Sequence, residues 1–153
     1  MTSRLSLGRL QQPLQPPLPE LLQRAGYSTW MVGKWHMGKA PDQIPAARGF
    51  ERDFSLLDGA GSYWDMSNFT GASPQSVFTE DGRYLAKLPK DYYATKTYTD
   101  KLIGFIDAGR SDGKPFFATD HPVNPYKPNG PTYANLLTGA ASGQCTSLLT
   151  EPG

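Results

Sequence analysis

The sequence predicts an α/β protein whose central sheet contains parallel strands. Two observations carry this prediction: a helical pattern precedes a short apolar strand in residues 18–32, and the same order returns in residues 95–118. Parallel strands need a long crossover connection, usually a helix, so the second helix should bring the second strand alongside the first. The 153 residues fit one ordinary domain.

The first helix and strand follow a proline-rich beginning. Residues 1–17 contain prolines at 13, 16 and 17 without an apolar period, so we expect a disordered or extended tail. Leucines and an alanine then recur at helical spacing up to Gly26, which is a natural helix end. The helical positions are Leu18, Leu21, Leu22 and Ala25. The β-branched and aromatic run "YSTWMV" predicts a strand over about 28–32.

The middle of the chain is predicted to be a long ordered loop. In residues 38–74, glycines at 38, 49, 59, 61 and 71 and prolines at 41, 45 and 74 are too frequent for regular elements of ordinary length. The following stretch "VFTEDGRYL" predicts a small hairpin. Its basis is that Asp81 and Gly82 form a favoured two-residue turn.

The second helix is predicted from about Thr95 to Gly109, and the second strand over 114–118 in "KPFFA". The apolar face of this helix comprises Tyr98, Leu102, Ile103, Phe105 and Ile106. Residues 119–153 show no convincing element, because they begin with four prolines in thirteen residues and continue with small polar residues. We therefore expect an irregular tail there.

Composition excludes several classes of function. Fifteen lysines and arginines against fourteen aspartates and glutamates give a formal charge of +1, which favours neither nucleic acid nor a membrane as partner. Cys145 is the only cysteine, so neither an intrachain disulfide nor a cysteine-based zinc cluster can form. The chain shows no signal-peptide pattern and no run of eighteen apolar residues, and its localisation stays unassigned.

The candidate site is the stretch "GKWHMG", which directly follows the first strand. If the strand continues, its period of two places Lys34 and His36 on one face and Trp35 on the other. Ligands bind at the carboxyl ends of strands in open α/β sheets, and a lysine beside an imidazole suits a tetrahedral anion such as a phosphate or sulfate ester. The alternative is an exposed lysine and a histidine that is bonded to a nearby carbonyl.

Three aspartates between the predicted strands could suggest a metal cluster. Asp53, Asp58 and Asp65 fit no known cation loop by spacing, and Asp58 precedes Gly59 in a turn-forming pair. We therefore predict no metal ligand in this chain. Asn68, Phe69 and Thr70 match the N-glycosylation acceptor pattern.

Longer strings resemble one family. The segment "LLQRAGYSTWMVGKWHMG" closely resembles the sulfatase segment usually seen as "LL..AGY.T...GKWHLG". Two later segments, "RGFERDFSLLDGAGSYWDM" and "LPKDYYATKTYTDKLIGFIDAGRSDGKPFFA", are similar to the regions that follow it in bacterial-type arylsulfatases. The resemblance covers about residues 18–118, which are therefore interpreted as part of a sulfatase catalytic domain.

This resemblance implies an alkaline-phosphatase-like α/β fold, of which this chain would form a partial sheet with flanking helices. It implies that the substrate is a sulfate ester. It also implies a divalent cation, usually calcium, and a formylglycine nucleophile in the complete enzyme. Lys34 would lie near the sulfate oxygens, and the His36 side chain would contact the formylglycine. Both would bind substrate and act in catalysis.

The sequence departs from the family in the groups that carry the reaction. No C-x-P-x-R motif or acidic pair precedes Lys34, and the surroundings of Cys145, "CTSLL", lack the proline and arginine that the motif requires. His121 comes earlier than the family's later site histidine, so its role stays open. We expect a sulfatase fragment that supports neither calcium nor formylglycine and is inactive alone. The alternative is a non-catalytic anion-binding or interaction protein.

Overall fold

The computed structural model describes residues 16–68, 73–121 and 146–149. Two α-helices, six strands and two short 3-10 helices (Pro45–Arg48 and Arg110–Asp112) are described. The helices are α1 (Leu18–Arg24) and α2 (Ala94–Gly109). The strands are β1 (Ser28–Lys34), β2 (Arg52–Leu56), β3 (Phe78–Glu80), β4 (Arg83–Tyr84), β5 (Phe116–His121) and β6 (Thr146–Leu149).

The strands form one mixed sheet in the order β4-β3-β2-β1-β5-β6. β1 lies between β2 and β5 and is parallel to both, whereas the outer strands pair antiparallel. The predicted parallel pairing of the first strand with the strand after α2 is confirmed. β1 is thus a central strand with a parallel neighbour on each side.

Most predicted elements are confirmed. They could be predicted because the sequence patterns that indicate them lie within a few residues. α1, α2 and β1 lie where apolar spacing and β-propensity place them. The hairpin of β3 and β4 turns at Asp81 and Gly82, which both have positive φ, 46° and 76°. Two consecutive positive φ values are the requirement of the tight hairpin turn that an Asp-Gly pair favours.

Three expectations about strands are wrong. β2 lies inside the predicted loop of residues 38–74, β5 continues to His121 rather than ending at Ala118, and β6 lies within the predicted irregular tail. Each of these segments pairs with a neighbouring strand: β2 with β1 and β3, and β5 with β1 and β6. Such pairing is a non-local interaction, and spacing along the sequence does not reveal it.

The two faces of the sheet carry different amounts of core. The α2 face holds the larger cluster, in which aromatic side chains from β2, β3 and α2 pack together. Its fully buried members include Phe54, Phe78 and Tyr98. On the opposite face, Leu22 of α1 packs on the smaller cluster of Met31, Phe50 and Phe117.

No helix in the described parts of the chain is long and apolar enough to span a membrane. The first fifteen residues of the predicted tail, and Cys145, lie outside the described residues. The boundaries predicted for the three regions, 1–17, 18–118 and 119–153, stay predictions.

Candidate functional site

The candidate site lies at the carboxyl end of β1. Lys34 is the last residue of this strand and pairs with Leu56 of β2, while Gly33 pairs with His121 of β5. Gly33 has a φ of 97°, and a Cβ built on it would lie 1.9 Å from the carbonyl oxygen of His121. Glycine is therefore required here, because any side chain would separate β1 from β5. Lys34 thus stands between two parallel neighbours at the edge where ligands bind in such sheets.

His36 does not continue the strand, so the prediction of strand alternation through residue 36 is wrong. Its φ of 53° lies in the left-handed region, which non-glycine residues rarely adopt and histidine adopts more often than most. The imidazole lies over Gly59, where a Cβ would be only 2.7 Å from ring atoms Cε1 and Nε2. The loop after β2 therefore fixes the position of His36.

Trp35 packs into the protein between these two residues. Its Nε1 donates to the carbonyl oxygen of Gln43 at 2.7 Å, and its ring meets the Phe50 ring edge-on at 6.1 Å. It joins the smaller cluster, on the face opposite to Trp30 and Val32. This is the face that the alternation of β1 predicts for Trp35.

Neither the Lys34 ammonium nor the His36 imidazole makes a hydrogen bond or an ion pair within the described part of the chain. The histidine ring is exposed, and Lys34 is half-buried. That their side-chain nitrogens reach one tetrahedral anion stays a prediction.

The buried aspartate Asp58 has a structural role. Its carboxylate accepts hydrogen bonds from the Lys39 ammonium, from Asn68 Nδ2 at 3.0 Å and from the Val77 amide at 2.8 Å. It thereby ties the loop after β1 and the loop after β2 to the approach of β3. The asparagine of the glycosylation pattern is thus engaged inside the protein.

Asp53 and Asp65 each hold a different turn. Asp53 accepts from Thr79 Oγ1 at 2.6 Å and from the Gly82 amide at 2.8 Å, and its burial raises the pKa of its carboxyl group. Asp65 accepts from the Ser67 amide at 2.8 Å, and this bond lowers its pKa.

The described carboxylates do not fit calcium. They form no group of three that could hold a metal ion, because the three aspartates bond to different parts of the protein: Asp53 to the hairpin of β3 and β4, Asp58 to Lys39, Asn68 and Val77, and Asp65 to its own turn. Calcium needs six to eight oxygen ligands that converge on one point.

Two polar residues at the same edge were not assigned a site role from the sequence. His121 and Asp120 end β5, beside Gly33 and Val32 of β1. The Asp120 Oδ1 atom is inaccessible to solvent and has no hydrogen-bond partner in the described residues, and burial raises the pKa of Asp120 to about 6. The available signal was that polar residues directly follow an apolar run, but the predicted strand ended at Ala118, three residues before the observed end of β5.

Comparison with known proteins identifies the family. The sulfatase family model matches residues 3–146. The chain belongs to the sulfatase family. It is 36% identical over 107 residues to an uncharacterized sulfatase of Schizosaccharomyces pombe, covering 66% of this chain and 19% of that protein. It is 32% identical over 103 residues to the arylsulfatase of Klebsiella aerogenes, covering 66% of this chain and 22% of that protein.

A third relative is the N-acetylglucosamine-6-O-sulfatase of Bacteroides thetaiotaomicron, 35% identical over 116 residues, which are 74% of this chain and 17% of that protein. The chain therefore spans about a fifth of the length of the curated relatives that it matches. The predicted family is confirmed.

The fold is similar to that of solved structures. Ps i-CgsB in complex with k-i-k-neocarrahexaose superposes with a TM-score of 0.58 at 24% identity, over 72% of this chain and 26% of that chain. Ps i-CgsB alone gives a TM-score of 0.55 at 23% identity, over 74% of this chain and 26% of that chain. The predicted alkaline-phosphatase-like α/β fold is confirmed.

Proposed function

We propose that this chain supplies the lysine and histidine wall of a sulfate-ester pocket and that the activity it serves is hydrolysis of sulfate esters. One observation supports this most directly. Lys34 ends the central parallel strand, and the loop after β2 holds the His36 imidazole at the same edge of the sheet. The left-handed conformation of His36 is a strained arrangement of the kind that functional sites often contain.

The two side chains have complementary chemistry toward a sulfate ester. The Lys34 ammonium can neutralise negative charge on the sulfate oxygens and can donate up to three hydrogen bonds. The His36 imidazole can donate a hydrogen bond, and it can exchange a proton near neutral pH. Each charge-assisted bond is worth about 1.5 to 3 kcal/mol at best, so sulfate should bind weakly to this wall alone.

Calcium and formylglycine belong to the proposed complete enzyme. The described carboxylates do not fit a calcium site, so no step is assigned to a metal here. The 153 residues also lack the C-x-P-x-R pattern from which formylglycine is made. We therefore assign substrate binding and charge neutralisation to Lys34 and His36, and no nucleophile to this chain.

Titration of the 153-residue chain with sodium sulfate, followed by NMR, tests the binding wall. We expect the His36 ring signals and the Lys34 side-chain signals to shift together along one binding curve. Lys34→Ala should weaken sulfate binding about tenfold or more, because the main cationic donor is lost. Lys114→Ala is the matched control, since this exposed lysine precedes β5 at the opposite edge of the sheet.

An assay with a chromogenic aryl sulfate, with and without calcium, accompanies the titration. We expect no turnover by these residues alone, and turnover that disappears in Lys34→Ala would contradict the assignment of no nucleophile. If the chain is folded and sulfate shifts neither the Lys34 nor the His36 signals, the proposed role of these residues in a sulfate pocket is wrong. Sulfate binding without any sulfatase reading frame around the gene would favour the alternative, a non-catalytic anion-binding protein.

A further inference from the structure

Three aromatic rings meet at the surface close to the candidate site. The ring centroids of Tyr63, Trp64 and Tyr93 lie 5.9 Å, 5.9 Å and 6.0 Å apart, with interplanar angles of 58°, 40° and 49°. We call these three side chains the aromatic platform. The tilted rings form a nearly equilateral triangle instead of a flat stack.

The platform is exposed but firmly attached. The Trp64 residue is 70% exposed and Tyr93 is 37% exposed, whereas Tyr63 packs partly against the main core. The Ala94 amide, at the beginning of α2, donates to the Tyr63 carbonyl oxygen at 2.8 Å, and the Trp64 amide donates to Ser62 Oγ at 3.2 Å. The first bond joins the loop after β2 to the beginning of α2 and the second stabilises the loop itself, so a ligand would not have to order the platform first.

The platform lies at the same edge of the sheet as Lys34 and His36. α2 leads into β5, which is parallel to β1, so the beginning of α2 lies at the carboxyl edge. The chain then links the two places directly. Gly59 touches the His36 ring and Tyr63 follows four residues later, so their Cα atoms are at most about 14 Å apart. A ligand of one or two sugar rings could reach from one place to the other.

The chemistry around the platform favours a sugar ring over other occupants. Sugar rings combine apolar C–H faces, which pack on aromatic rings, with hydroxyl groups that need acceptors. Asp65 follows the platform directly, and its hydrogen bond from the Ser67 amide keeps its pKa low, so an ionised acceptor is present. The same negative charge disfavours a nucleic acid, whose phosphates require a basic surface.

A protein partner is less well matched in size. Three aromatic side chains, of which one is mostly exposed and another partly buried, offer at most a few hundred Å². A stable protein interface needs about 800 Å² from each partner. The one mostly exposed ring, that of Trp64, instead offers an area suited to a single sugar ring.

We propose that Tyr63, Trp64 and Tyr93 form a stacking platform for an uncharged sugar ring, so that the sulfate ester at Lys34 and His36 is carried by a saccharide. This inference rests on the proposed function, and it adds the class of substrate and the residues that recognise it. The ring stacks on Trp64, its hydroxyls face Asp65, and the sulfate group extends toward Lys34.

The three tryptophans of the chain make the platform observable by NMR. Trp30 is buried and the Trp35 indole donates to Gln43, so the Trp64 indole is the exposed one of the three. We would titrate the 153-residue chain with galactose 6-sulfate, galactose and sodium sulfate. Galactose 6-sulfate should shift the Trp64 indole, Lys34 and His36 together. Galactose should shift the Trp64 indole but not Lys34 or His36, and sodium sulfate should shift Lys34 and His36 but not the Trp64 indole.

Variants then connect the shifts to affinity. Trp64→Ala should weaken binding of galactose 6-sulfate about fivefold and leave binding of sodium sulfate unchanged, whereas Trp64→Phe should retain most of the affinity. Ile103→Ala is the matched control, because Ile103 is also exposed and apolar but lies nine residues into α2, about 13 Å beyond its beginning. This control should bind all three probes like the parent chain.

The outcomes separate this inference from the proposed function. If sodium sulfate shifts His36 but neither sugar shifts Trp64, the platform inference is wrong and the sulfate wall stands. If galactose shifts Trp64 while sodium sulfate shifts nothing, the sulfate wall is wrong and the sugar platform stands. A Trp64 signal that moves on dilution of the protein alone would overturn the platform in favour of self-association.

Discussion

Two aspartates with inaccessible carboxylate oxygens, Asp53 and Asp120, lie on either side of the central strand, and their surroundings differ. Asp53 on β2 accepts hydrogen bonds from Thr79 and Gly82, at the hairpin of β3 and β4. Asp120 on β5 has an Oδ1 atom that is equally inaccessible but has no hydrogen-bond partner in the described residues. Burial raises the pKa of both, to about 6 for Asp120.

Asp53 therefore stabilises the fold through its hydrogen bonds, whereas Asp120 has an oxygen that no described group uses. At the hairpin, the oxygens of Asp53 satisfy groups that would otherwise be buried without partners. At the carboxyl edge, Asp120 pairs with Val32, two residues before Lys34 on β1, and its Oδ1 atom has no such role in the described residues. A buried carboxylate oxygen without a partner is uncommon in a native structure, so Asp120 is a candidate functional group at this edge.

The largest expected effect is on stability, from Asp53→Ala. This change leaves the fully buried Thr79 hydroxyl and the partly buried Gly82 amide without their acceptor, so it should lower the free energy of unfolding by about 3 kcal/mol. Urea denaturation followed by circular dichroism measures it. Asp42→Ala, at an exposed position, should change stability by less than about 0.5 kcal/mol. Equal effects of the two changes would contradict the structural role of Asp53.

The opposite sign is expected for Asp120→Asn, and it should depend on pH. Because the folded-state pKa of Asp120 is raised from 3.8 to about 6, the folded protein keeps a proton that the unfolded chain releases between these values. Stability of the parent chain should therefore fall as pH rises from about 4 to about 6, and it should stay lower above that window.

Asn cannot ionise, so Asp120→Asn should be more stable than the parent by about 1 to 3 kcal/mol at pH 7.5 and nearly equal to it at pH 4. Thermal unfolding at the two pH values measures the difference. A variant that is less stable than the parent at pH 7.5 would show that the Asp120 carboxylate has a stabilising partner.

The elements that sequence predicts correctly are those whose signal lies within a few residues. α2 has a repeated apolar face, and the hairpin has an Asp-Gly pair at its turn. β2 was missed because its glycine-rich surroundings hide a strand of five residues that depends on pairing with β1 and β3. Its residues Phe54 and Leu56 are fully buried by partners that are distant in sequence.

The candidate site shows the same limit. The position of Lys34 follows from the end of a predicted strand, and the structure places it there. The position of His36 does not follow, because it depends on a left-handed backbone and on Gly59, which lies 23 residues later in a loop. The aromatic platform could not be predicted either, since Tyr93 meets Tyr63 and Trp64 only through the tertiary fold.

The smallest expected effect tests the contact that holds His36. Gly59 does not have a positive φ, so its backbone accepts alanine, but a Cβ there would lie 2.7 Å from the His36 ring. Gly59→Ala should therefore displace the imidazole and weaken sulfate binding about fivefold to tenfold, while global stability changes by less than about 1 kcal/mol. Gly104→Ala is the control, because a Cβ at Gly104 meets nothing within 4 Å and alanine favours the helix.

NMR would show displacement of the imidazole as shifted His36 ring signals before any sulfate is added. Unshifted signals would contradict the contact with Gly59, and shifted signals with unchanged sulfate affinity would show that the imidazole does not bind the anion.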